Sequence, residues 1–139
     1  MHKEFMETFV HDAVDVTSYS PLTLAYLGDC VYELIVRSKL VYACNEPANI
    51  LNRKGSNLAK AATQAAIADA VLPMLSDEET AAYRRGRNAH SATKAKNATV
   101  SDYRRATGFE ALIGYLYLKE EFGRIMEIIR AGFDAIGEK

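Results

Sequence analysis

The run LTLAYLGDCVYELIVRSKLVYA, from Leu22 to Ala43, constrains the fold more than any other stretch. It contains no proline and no alternation of β-branched with polar residues, so a strand is disfavoured. Ser20-Pro21 stands just before it: a side chain that caps, then the residue best tolerated in a helix's first turn. The run predicts one helix of roughly 33 Å, mostly buried. Punctuation is sparse elsewhere, with 3 prolines and 8 glycines in 139 residues, and no internal repeat is visible.

The rest of the chain reads the same way. A first helix is expected over about Lys3 to Ala13, with Phe5, Phe9 and Ala13 on one face. Pro47 opens another, with NRKGS a candidate interruption before AKAATQAAIADAV resumes and Pro73 ends it. Ser76-Asp77-Glu78-Glu79 is a capping box with acids at the positive helix end, and its helix runs toward Arg84, Arg85 and Arg87. NAHSATKAKNAT reads as a polar loop, and a further start falls at Ser101-Asp102 before the apolar FEALIGYLYL. Ile125, Ile129, Phe133 and Ile136 recur at helical spacing in the tail. The expectation is an all-α fold of six to eight helices in a single domain spanning residues 1–139.

Composition removes several classes. With 49% hydrophobic residues and a formal net charge of −1, the chain is neither disordered nor dominated by one charge sign. No stretch of about 18 residues is free enough of charge to span a membrane. MHKEFMETF carries acids and no apolar core, so a secretory signal is not expected. Cys30 and Cys44 form neither a disulfide framework nor a metal spacing, which points to the reducing cytoplasm. Cys30 is expected as a small core residue, and His2 and His11 as solvated. No Walker loop, G-x-S-x-G or Cys/His constellation is present.

Two acids stand out by their surroundings. From Leu22 to Val36 the only charges are Asp29 and Glu33, and from Ala106 to Leu118 the only charge is Glu110. A carboxylate in an apolar helix costs several kcal/mol (~3–5) unless it is hydrogen-bonded, paired or bound to a cation. Gly28 adjoins Asp29, and Gly108 and Gly114 lie near Glu110, leaving room for a hydrated metal. The bland alternative remains: Asp29 as a helix N-cap, Glu33 paired with Arg37, Glu110 with an arginine of another helix. Charge is also segregated. Residues 84–105 hold Arg84, Arg85, Arg87, Lys94, Lys96, Arg104 and Arg105 against Asp102 alone, a net +6 that leaves the remainder at −7. Asn88, His90, Ser91, Asn97 and Tyr103 are interleaved, groups suited to phosphate and sugar oxygens. Dipole complementarity at a helix end would explain the first three arginines but not the later cations.

LAYLGDCVYEL, YRRGRNAHS and DYRRATGFEALIGYLYL, in that order across the chain from about Pro21, resemble mini-ribonuclease III. This is the short branch of the ribonuclease III family, without the appended double-stranded-RNA-binding domain. The resemblance implies a helical homodimer that cuts duplex RNA to 5′-phosphate and 3′-hydroxyl ends. Asp29 and Glu110 match the family's catalytic acids, which ligate Mg²⁺, with Mn²⁺ able to substitute. Arg84, Arg85, Arg87, Asn88, His90, Ser91, Lys94, Lys96, Asn97, Arg104 and Arg105 would grip the RNA, and Tyr26 fills the aromatic slot at the dimer interface. Ala25 and Thr107 replace acids of full-length ribonuclease III, in keeping with the short branch, and His90 stands where that branch has Lys. The implied task is maturation of the large-subunit (23S) ribosomal RNA precursor in a bacterial cytoplasm, with a ribosomal protein as a candidate partner. The rivals are a non-catalytic RNA-binding or ribosome-associated relative and a plain helical interaction protein.

Overall fold

The computed structural model describes residues 1–89 and 99–139. The expected polar loop therefore lies, from His90 to Ala98, outside the described residues. The described residues form seven α-helices: α1 (His2–Phe9), α2 (Pro21–Ala43), α3 (Ala48–Ala59), α4 (Ala61–Val71), α5 (Asp77–Asn88), α6 (Val100–Leu118) and α7 (Phe122–Ala135). Two 3₁₀ turns, Val16–Ser18 and Leu72–Met74, join them. The Ser20 hydroxyl accepts from Thr23 N–H with Pro21 in the first turn of α2, and the Ser76–Glu79 capping box is complete at α5.

The central helix is α6, which packs against α2, α4, α5 and α7 and is buried from Ala106 to Leu116 except at the half-buried Glu110. Its crossing with α2 is unusually close. A Cβ placed on Gly28 would sit 1.7 Å from the Glu110 carbonyl oxygen, and one on Gly114 would sit 2.0 Å from that of Leu24. Glycine is required at both positions because any side chain would occupy the partner's backbone.

Several expectations are corrected. α2 buries only one face, through Leu24, Ala25, Gly28, Tyr32, Val36 and Leu40, because the helices packed against it cover one side. Its other face exposes Leu22, Tyr26, Leu34, Val41, Tyr42 and Cys30, so Cys30 is a surface thiol and not a core residue. NRKGS stays helical within α3, and the break falls at Lys60, whose ψ of 154° is extended. α1 ends at Phe9 with no buried residue. His2 is half-buried: it bonds Glu120 at 2.8 Å and packs edge-on against Tyr117 and Phe122. α6 starts at Val100, one residue before Ser101, because the Thr99 hydroxyl caps Asp102 N–H.

Candidate active site

The close α2–α6 crossing brings the two singled-out acids together. Asp29 follows Gly28 in the middle of α2, so it is not an N-cap, and Glu110 belongs to the turn of α6 that Gly28 touches. Their carboxyl groups lie within hydrogen-bonding reach of each other. Glu110 is half-buried, and its pKa is pushed up to about 9. Burial is the main cause, reinforced by the contact with Asp29 and the charge of Glu33, while the Gln64 amide works the other way. No arginine neutralises Glu110 among these influences; its neighbours are acids and an amide. Glu33, one turn beyond Asp29, forms the expected pair with Arg37 at 3.9 Å.

Two carboxyl groups in contact share a proton in the absence of anything better, and a cation that displaces that proton removes their repulsion. Among the described residues, no three His, Cys, Asp or Glu side chains converge on one point. The oxygen donors at this point are therefore the two acids. That suits Mg²⁺, a hard ion that takes oxygen ligands, is commonly held by one or two carboxylates and keeps several of its waters. Asp29 and Glu110 fit that role. The positions that carry acids in full-length ribonuclease III contribute none here. Ala25 is buried, and the Thr107 hydroxyl donates to the Tyr103 carbonyl of its own helix at 2.9 Å.

Gln64 is a member of the site that sequence reasoning missed. It is 2% exposed, and its Nε2 donates to the Ala59 carbonyl at 2.9 Å while the same amide faces Glu110. The available signal was a long amide side chain in the otherwise small-residue run AATQAAIADA, whose burial no local pattern reveals.

The basic residues divide. Arg84, Arg85 and Asn88 are exposed along the last turns of α5, with Arg85 Nη2 donating to the Tyr19 carbonyl at 3.1 Å. Arg87 is half-buried, its guanidinium 5.8 Å from the centre of the Tyr83 ring. Arg104 is exposed on the first part of α6. Arg105 departs from the expected surface strip: its guanidinium is taken up by Asp69 of α4 and, at 2.7 Å, by Asp102. It ties α6 to α4, so a phosphate at this point would share the guanidinium with two carboxylates. His90, Ser91, Lys94, Lys96 and Asn97 lie outside the described residues. Tyr26 stands 85% exposed on the outer face of α2.

In sequence and in fold the chain is similar to known proteins. The Ribonuclease III domain family matches residues 22–121. A mini-ribonuclease 3 of Thermoanaerobacter sp. is 46% identical over 123 residues, 88% of this chain and 87% of that protein. A mini-ribonuclease 3 of Enterococcus faecalis is 43% identical over 126 residues, 89% of this chain and 96% of the relative. A crystal structure of a Fusobacterium nucleatum protein superposes with a TM-score of 0.76 at 32% identity, covering 84% of this chain and 93% of that one. The chain belongs to the ribonuclease III family of endoribonucleases, on its mini-ribonuclease 3 branch.

Proposed function

We propose that this ribonuclease III-type endoribonuclease cuts double-stranded RNA with Asp29 and Glu110 as its catalytic, Mg²⁺-holding pair, leaving 5′-phosphate and 3′-hydroxyl ends. The observation that carries the reading is the contact between two acids more than eighty residues apart, at a crossing made possible by Gly28 and Gly114. A bound divalent cation supplies a water of lowered pKa and offsets charge at the scissile phosphate. Asp29 and Glu110 fix where that chemistry happens: both stand on rigid helices, one exposed and the other half-buried. Glu110 gives up its proton as the cation binds. Mn²⁺ presents similar hard-ligand chemistry and substitutes for Mg²⁺.

The exposed cations of α5 and α6, Arg84, Arg85 and Arg104, with Arg87, Asn88 and the segment His90, Ser91, Lys94, Lys96 and Asn97, hold the duplex through phosphate and 2′-hydroxyl contacts. Two copies of the chain act together across the apolar face of α2 around Tyr26, each cutting one strand. The natural substrate is precursor 23S ribosomal RNA in the cytoplasm, where a ribosomal protein can present it.

The test is incubation of the pure protein with a long RNA duplex in Mg²⁺ and in EDTA, beside Glu110→Gln. Wild type cleaves only with Mg²⁺. Glu110→Gln loses at least 100-fold in cleavage yet retains RNA binding, and near neutral pH in EDTA it is about as stable as wild type, because burial already keeps Glu110 protonated there and Gln is its neutral isostere. Binding without scission by wild type would make the chain a non-catalytic relative; an active Glu110→Gln enzyme would overturn the site.

A further inference from the structure

Gln64 occupies a position that packing alone does not explain. Among the described residues the buried polar side chains are Gln64, Glu79 and Thr107. Glu79 is met by Arg124 and Ser76, and Thr107 by a carbonyl of its own helix. Gln64 is satisfied on one side only. Its Nε2 donates to Ala59, but its Oε1 is buried and has no hydrogen-bond partner among the described residues. The assignment of the two amide atoms follows from chemistry, since the Ala59 carbonyl can only accept.

The break between α3 and α4 places this side chain. Extended backbone at Lys60 ends α3, and Gln64 N–H donates to the Lys60 carbonyl at 3.1 Å in the first turn of α4. Thr63 secures the same corner from the other side, its hydroxyl donating to Asn57 at 2.6 Å. α4 packs on α6, so the corner presents the amide to Glu110. A buried acceptor without a donor costs free energy, and an apolar residue of the same length would avoid that cost. The cost becomes intelligible if a donor arrives with the cation, whose retained waters present O–H groups to acceptors around the site.

We propose that Gln64 is a positioning residue of the acid pair: its amide nitrogen holds Glu110 toward Asp29, and its Oε1 accepts a hydrogen bond from a water of the bound cation. The proposal rests on the metal-site reading above, and the experiment separates the two. Mn²⁺ binding to the RNA-free protein is measured by electron paramagnetic resonance for wild type, Gln64→Met and Glu110→Gln, with thermal unfolding in EDTA alongside. Gln64→Met weakens Mn²⁺ affinity about 10–100-fold. It lowers kcat on duplex RNA by a similar factor with KM unchanged, and its unfolding temperature in EDTA does not fall. Should Gln64→Met not fold, Gln64→Asn, which withdraws the amide by one methylene, is read the same way. Wild-type Mn²⁺ affinity in the Gln64 variant, while Glu110→Gln loses it, overturns the role of Gln64 alone. Equal affinity in all three proteins overturns the metal-site reading itself. A lower unfolding temperature as the sole change reduces Gln64 to a cap for α3, and a rise in KM without loss of Mn²⁺ affinity makes it an RNA contact; both overturn the proposal.

Discussion

Glu79 and Glu110 are glutamates withdrawn from water that titrate in opposite directions because of their neighbours. Glu79 receives Arg124 Nε at 2.8 Å and Arg124 Nη2 at 2.9 Å, and caps Ser76 N–H at 2.8 Å, so its pKa is lowered from 4.5 by the arginine first and the backbone cap second. Glu110 has an acid where Glu79 has a guanidinium. The consequence for stability follows from linkage. The unfolded chain holds the Glu79 proton more tightly than the native state, so the pair's contribution is complete above the unfolded value near 4.5 and is lost as pH falls through the lowered native value. Glu79→Gln should cost about 1–3 kcal/mol in urea unfolding at pH 7. The gap from wild type should hold constant down to about pH 5 and narrow below the ordinary glutamate pKa of 4.5. A gap independent of pH down to 3 would mean that the Arg124 pair contributes nothing. Arg124 also donates to the Met74 carbonyl at 2.8 Å, so one side chain joins α7, α5 and the turn between α4 and α5.

At the level of helices, the site depends on how closely α2 and α6 approach. Gly28→Ala would place a methyl group 1.7 Å from the Glu110 carbonyl, against backbone that cannot swing aside as a side chain can. The helices must part, which should cost about 1–3 kcal/mol or more and move Asp29 away from Glu110. Cleavage measured at a temperature where the variant remains folded should fall at least 10-fold, since misplacement of catalytic groups by about 1 Å costs on the order of 100-fold. Full activity in a folded Gly28→Ala protein would show that the crossing does not set the site. The helix starts at Ser20-Pro21 and Ser76–Glu79 could be read in the sequence because capping is settled within four residues. Which face of α2 is buried could not, because an apolar run this long looks the same on every side until neighbours cover part of it. The same limit hid Gln64, whose burial depends on a corner at Lys60 that no glycine or proline marks. Isolation in apolar helices singled out Asp29 and Glu110, but their meeting is a long-range contact that no spacing encodes. Arg105 illustrates the converse, a cation that belongs to the basic segment in sequence and to Asp69 and Asp102 in space.

For the whole molecule, one chain brings one acid pair, and the proposed cutting of both strands together would take two. The outer face of α2 offers the means to supply the second. Leu22, Tyr26, Cys30 and Leu34 follow one another at four-residue intervals, all exposed, and Val41 and Tyr42 continue the apolar surface toward the end of the helix. A self-complementary helix face of this kind is what a two-fold axis uses, because the same residues serve both copies. An apolar row on a helix with an acid pair behind it would also fix the separation of the two cutting sites. Leu34 is the residue to change: at 51% exposure it lies outside the core, so Leu34→Asp should alter the stability of the isolated fold by no more than about 0.5 kcal/mol. Light scattering should give wild type at twice the 15.4 kDa chain mass and Leu34→Asp at the single-chain mass, with unchanged circular dichroism. Duplex cleavage by the variant should fall steeply and recover in part at high protein concentration, since mass action restores the pair. A wild-type protein that stays at 15.4 kDa across the working concentration range, yet cuts duplex RNA at full rate, would dismiss the paired arrangement and require one acid pair to serve both strands in turn.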